Sequence, residues 1–156
     1  MIKQIEIQNY RGFKKHKITF HKNVLLVGKN NAGKSTIIEI LRVCSLILLK
    51  AKTAHYIPVP SWISEWKSEE SRYKIKGISP DIKGLIKQYK PISHRYNYEQ
   101  TYAKITFQNN FVVEIYYSLG EHIFAILHKP DGKNIKIKNK ENIESIPKIA
   151  VLPQIG

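Results

Sequence analysis

The sequence predicts an α/β fold, a P-loop core carrying an antiparallel β arm, and three observations predict it. Residues 28–36 read Gly-Lys-Asn-Asn-Ala-Gly-Lys-Ser-Thr, a complete phosphate-binding loop set between an apolar run and a helix-like stretch. That stretch, Ser35 to about Lys50, is apolar nearly all round, as in a helix buried on most sides. From Tyr102 the hydrophobic period changes to two, the spacing of strands.

Taken in chain order, Met1 to Asn9 alternates about Ile5 and Ile7, with Glu6 and Gln8 opposite, and predicts a strand. Tyr10-Arg11-Gly12-Phe13 is a turn, and His16 to Phe20 a second short strand. Lys22-Asn23 leads into Val24–Val27, apolar throughout and suited to a central strand covered on both faces. Residues 1–50 thus form a strand–loop–helix core. Residues 51–100 read as an insertion punctuated by Pro58, Pro60, Pro80 and Pro91, with Trp62 and Trp66 needing burial. Within it Arg72–Lys76 alternates like a strand, and Asp81 to Lys90 has the caps of a short helix. In residues 101–156, the expected antiparallel arm, Ala103–Gln108, Phe111–Ser118 and His122–His128 are strands, and Pro130-Asp131-Gly132 turns into Asn134–Asn139. The lysines of Ile135–Lys140 read as a solvated strand face.

The loop's chemistry follows from its residue types. Gly28 and Gly33 allow the tight turn that carries Asn30, Asn31, Ala32 and Thr36 about the phosphates, with backbone N–H groups of Asn31 to Thr36 cradling the oxygens. The helix start adds partial positive charge, Lys34 reaches the β/γ-phosphates and the Ser35 hydroxyl ligates Mg²⁺. ATP and Mg²⁺ are therefore the expected cofactors. Hydrolysis also needs a carboxylate closing an apolar strand, and no four apolar residues followed by Asp-Glu or Asp-Asp occur after Lys34. Glu114 sits inside an alternating strand and reads as structural. The six histidines share no metal-ligand spacing and read as surface or packing residues.

Composition bounds the rest. The length of 156 residues suits one domain, or one large piece of a larger one, and 42% hydrophobic content supports a packed core. A single cysteine, Cys44, excludes an internal disulfide and a thiolate zinc site and fits a cytoplasmic protein. Neither a secretory leader nor a membrane-spanning run is apparent. Twenty-six Lys and Arg against twelve Asp and Glu give a net charge of +14, for which nucleic acid is the natural polyanion.

The order of these pieces resembles the N-terminal part of RecF/SMC-type ABC ATPases, including OLD-type nucleases and related AAA-annotated defence ATPases. Asn9-Tyr10-Arg11-Gly12-Phe13 is similar to that family's N-[FY]-R-x-[FH] opening, and Asn30–Thr36 to its loop core. Leu152-Pro153-Gln154-Ile155-Gly156 resembles the segment carrying its Q-loop glutamine. The resemblance implies the first lobe of an ABC-ATPase head, with Arg11 near the nucleotide phosphates. It implies that Gln154 attends Mg²⁺ and the attacking water. It further implies a second lobe in cis or in trans, supplying the Ser-Gly-Gly signature and Walker B Asp-Glu, and a head-to-tail homodimer. A role in DNA repair or anti-phage defence would follow, with DNA a partner of the full assembly and no membrane involved. By itself this polypeptide is expected to bind ATP with negligible turnover. The rival reading is a non-enzymatic basic nucleic-acid-binding module with a vestigial P-loop. A small P-loop kinase or GTPase is a third reading, for which no acceptor motif or Asn-Lys-x-Asp speaks.

Overall fold

The computed structural model describes residues 2–10, 13–21, 34–63, 69–81, 100–118, 122–130, 146–147 and 149, with the backbone alone at 34, 35, 69 and 71. Its main sheet has the order β2-β1-β5-β6-β7, antiparallel throughout: β1 Ile2–Tyr10, β2 Phe13–Thr19, β5 Thr101–Phe107, β6 Val112–Tyr117 and β7 Ile123–His128. The opening strand and the strands after residue 100 share this sheet, because β5 lies beside β1 with Ile7 opposite Ala103 and Ile5 opposite Ile105.

One face of the sheet carries the main core. Ile5, Ile7, Ala103, Ile105, Val113, Ile115, Ala125 and Leu127 are buried there. Across it lies the helix α1, Lys34–Lys50, whose Ile37, Ile40, Val43, Cys44, Ile47 and Leu48 complete the cluster at spacings of three and four. The β-branched Thr36, Ile37, Ile38, Ile40, Val43 and Ile47 lower the propensity that the leucines supply, so burial of that stripe contributes most to holding the helix. Not all of its apolar surface is covered: Leu49 is 73% exposed. The helix ends where Ala54 N–H donates to the Lys50 carbonyl at 2.8 Å and the Tyr56 hydroxyl donates to the Ala51 carbonyl at 2.7 Å.

On the opposite face the described residues form a second layer over β6 and β7. A two-stranded ribbon, β3 Ile57–Pro58 with β4 Lys76–Gly77, brings Val59 and Ile63 onto Tyr116, Phe124 and Ile126. That second layer explains the continuous Ile-Phe-Ala-Ile-Leu run of β7, all six residues of which are buried. Beyond β4, Ile78 forms a backbone bridge with Ala125 along β7, at 3.0 and 2.8 Å.

Two expectations need correction. Arg72-Tyr73-Lys74 is not strand but the end of a short helix, α2 Glu69–Lys74, where Lys74 pairs with Glu70 at 2.9 Å one turn away. β2 begins at Phe13 rather than His16, since Phe13 pairs directly with Tyr10. The turn at 109–110 is as expected. Asn110 takes the left-handed conformation, φ 68°, and the Asn109 side chain accepts from Phe111 N–H at 3.0 Å. The expected strands Val24–Val27 and Asn134–Asn139 and most of the Asp81–Lys90 helix lie outside the described residues.

Candidate nucleotide site

Of the residues singled out for nucleotide binding, Gly28, Asn30, Asn31, Ala32, Gly33, Arg11 and Gln154 lie outside the described residues. Lys34 and Ser35 are described as the opening backbone of α1, and Thr36 is buried in its first turn. The described helix therefore opens at the Lys34 that follows the last glycine of the loop in sequence. Its first turn carries no acidic side chain. Helix starts ordinarily favour Asp or Glu, which would compete with an anionic ligand, so an acid-free start fits a triphosphate.

The strand end next to Arg11 is fastened to this helix. Tyr10 is buried, and its hydroxyl donates to Glu39 Oε2 at 3.3 Å, a little over one turn beyond Lys34. The Tyr10 ring meets Tyr117 edge-on, with centroids 5.1 Å apart and planes at 71°. Asn9 is fully buried with φ 50°, a left-handed turn of the backbone that breaks the strand's alternation and lets both Asn9 and Tyr10 face inward. Thr101 Oγ1 donates to the Asn9 carbonyl at 2.8 Å and ties the same point to β5. Behind this contact the groups are kept neutral. Burial pushes the Cys44 thiol far up, which makes it core packing rather than a nucleophile. Burial first, then the neighbouring Tyr10, Cys44 and Glu39, holds the Tyr117 hydroxyl well above the usual phenol range, and that hydroxyl has no hydrogen-bond partner.

A second polar cluster escaped sequence reasoning. On the ribbon-covered face, Glu114 Oε2 lies 2.6 Å from His128 Nε2, and the Tyr102 hydroxyl donates to Glu114 Oε1 at 2.7 Å. The side chains of His128 and Glu114 are 5% and 15% exposed. Burial alone would push the Glu114 carboxyl up. The bonds from His128 and Tyr102, with the charges of His128 and Lys104, outweigh it and hold the carboxyl below its usual range. The expected structural role of Glu114 stands, but His128 is its buried hydrogen-bond partner rather than a plain packing residue. The only sequence signal is parity, since all three residues occupy the same side of adjacent strands. Among the described residues no three His, Cys, Asp or Glu side chains converge as a metal site. No helix among them is long and apolar enough to cross a membrane.

The chain matches no curated protein and no solved structure. The family described as AAA ATPase domain matches residues 1–149, nearly the whole sequence. With a phosphate-loop sequence leading into an acid-free helix start, the chain belongs to the AAA ATPase domain family.

Proposed function

We propose that this chain is the ATP-binding part of a RecF/SMC- or OLD-like ABC-type ATPase working in DNA repair or anti-phage defence. The observation that carries the reading is the start of α1 at Lys34, immediately after the glycine loop and free of acids in its first turn. In this reading the loop N–H groups of Asn31 to Thr36 and the Lys34 ammonium hold the phosphates, and the Ser35 hydroxyl and Gln154 hold the metal. When bound there, Mg²⁺ would supply positive charge that neutralises the charge developing on the phosphates. Arg11 adds charge-assisted bonds to the phosphates, and the Tyr10–Glu39 contact supports it by fixing the preceding residue against α1. The resemblance of residues 9–13, 30–36 and 152–156 supports the finer family assignment. It also supports a head-to-tail dimer in which a second lobe supplies the signature and Walker B residues.

Calorimetric titration with ATP·Mg²⁺ tests the reading. The 156-residue polypeptide binds the nucleotide, and Lys34→Ala, which removes the ammonium, abolishes the heat signal. Unchanged affinity in Lys34→Ala would refute the role given to the loop. Measurable hydrolysis by the polypeptide alone would refute the need for a second lobe.

A further inference from the structure

The two long edges of the main sheet differ. On the β7 side the middle of the edge is taken by Ile78. On the β2 side no described residue pairs with the outer edge. The bond from Phe20 N–H to the Lys3 carbonyl, at 2.8 Å, fixes which backbone groups face which way. Along an antiparallel strand these groups alternate in direction. His16 and Ile18 therefore turn theirs to β1, as Phe20 does, and Lys15, Lys17 and Thr19 turn theirs outward. All three outward-facing residues also have exposed side chains. Glu6, opposite Lys17, has its carboxylate 3.9 Å from the Lys104 ammonium, on the side away from β2. The outer edge thus offers a run of N–H and C=O groups with two cations at alternate positions.

We propose that this edge takes up an extended acidic segment of a partner protein as an added antiparallel strand, its carboxylates set against Lys15 and Lys17. Main-chain hydrogen bonds to an open sheet edge supply affinity, and the side chains at alternate positions select the sequence. Charge decides the occupant. A second copy of the chain fits badly, because antiparallel pairing of two β2 strands about His16 would set Lys15 of one copy against Lys17 of the other. Like charges directly opposite each other destabilise a strand pair. Within this chain the alternating Lys136, Lys138 and Lys140 would meet the same repulsion. Lysines on an outer strand thus refuse copies of this chain and admit a strand of opposite sign. On the other side of β2, His16 and half-buried Ile18 favour apolar residues between the acids. The segment that fits alternates Glu or Asp with a β-branched residue.

Strand addition at this edge does not depend on ATP, so it is tested without nucleotide. Fluorescence anisotropy of the 156-residue chain is measured with a labelled, end-capped peptide of alternating Glu and Val. The peptide should bind. A cross-strand charge pair is worth a factor of about two to five, so Lys15→Glu/Lys17→Glu, which turns two attractions into repulsions, should weaken binding at least about tenfold. The same variant should gain as much for a peptide of alternating Lys and Val. The control Lys50→Glu/Lys52→Glu makes the same charge change at exposed positions around the end of α1 and should leave both affinities within about twofold. Methylating the peptide's Glu nitrogens, which face β2 in this register, should abolish binding, and methylating its Val nitrogens, which face away, should not. Circular dichroism melts show whether each variant is folded, and the peptide changes leave the protein untouched. Failure of the parent peptide to bind would overturn the proposal, as would equal losses in the two lysine pairs. So would two methylated peptides that bind alike and are displaced by a DNA duplex, which would make the lysines phosphate contacts.

Discussion

Replacing Glu114 with Gln tests whether a buried carboxylate braces the sheet in its charged form. The substitution keeps the size and polarity of the side chain but removes its charge. Two short bonds, from His128 at 2.6 Å and Tyr102 at 2.7 Å, become neutral. A hydrogen bond to a charged group is worth about 1 kcal/mol more than a neutral one, so the two together account for about 2 kcal/mol near neutrality. In a chain of this size that lowers the melting temperature by about 4–8 °C. The pH dependence has a definite sign. The folded carboxyl titrates below its ordinary value of 4.5, so its contribution is complete above that value and is lost as pH falls through the folded one. Urea unfolding of both proteins near pH 7 and near pH 3 should therefore show a wide gap that closes in acid. A gap of the same size at both pH values, or a more stable Gln protein at neutrality, would refute the claim that the charge contributes.

Gly77→Ala should be strongly destabilising, because a Cβ at that position would meet the Ala125 carbonyl oxygen and approach the Phe124 ring at 2.7 and 2.9 Å. Backbone cannot yield as a flexible side chain does, so a loss of about 3 kcal/mol in a denaturant melt is expected, and a loss under about 1 kcal/mol would contradict the packing. Tyr117→Phe should go the other way. It deletes a buried hydroxyl with no partner and should raise stability by about 1 kcal/mol, whereas a loss of similar size would mean that the hydroxyl is satisfied.

The elements that repeat a period are legible in the sequence. The α1 stripe, the strands 101–107, 112–117 and 123–128, and the opening strand all follow from spacing, because burying one face of each dictates the pattern. Short elements are not legible in this way. Six residues of α2 are too few for helical periodicity to show, and Arg72-Tyr73-Lys74 alternates by coincidence. β3 and β4, two residues each, carry no pattern at all. For the site, the loop letters give the chemistry of Lys34 and Ser35, but the Tyr10–Glu39 bond depends on how a helix docks on a sheet. Spacing along the chain does not encode that docking. The Glu114–His128 pair depends in the same way on the register of β6 against β7, which is set by the turns joining them.

The backbone bridge from Ile78 to Ala125 has a consequence for how this protein fails. Ile123 to Leu127 is a five-residue apolar run, rich in the strand formers Ile and Phe and without charge or proline, features that favour self-templating strand pairing. In the folded chain one long side of that segment is paired with β6 and the middle of the other is taken by Ile78. Loosening residues 75–79 would leave a ready partner surface while the rest of the molecule stays folded. Damage there should show first as self-association between copies, at temperatures where the sheet's remaining strands are still paired.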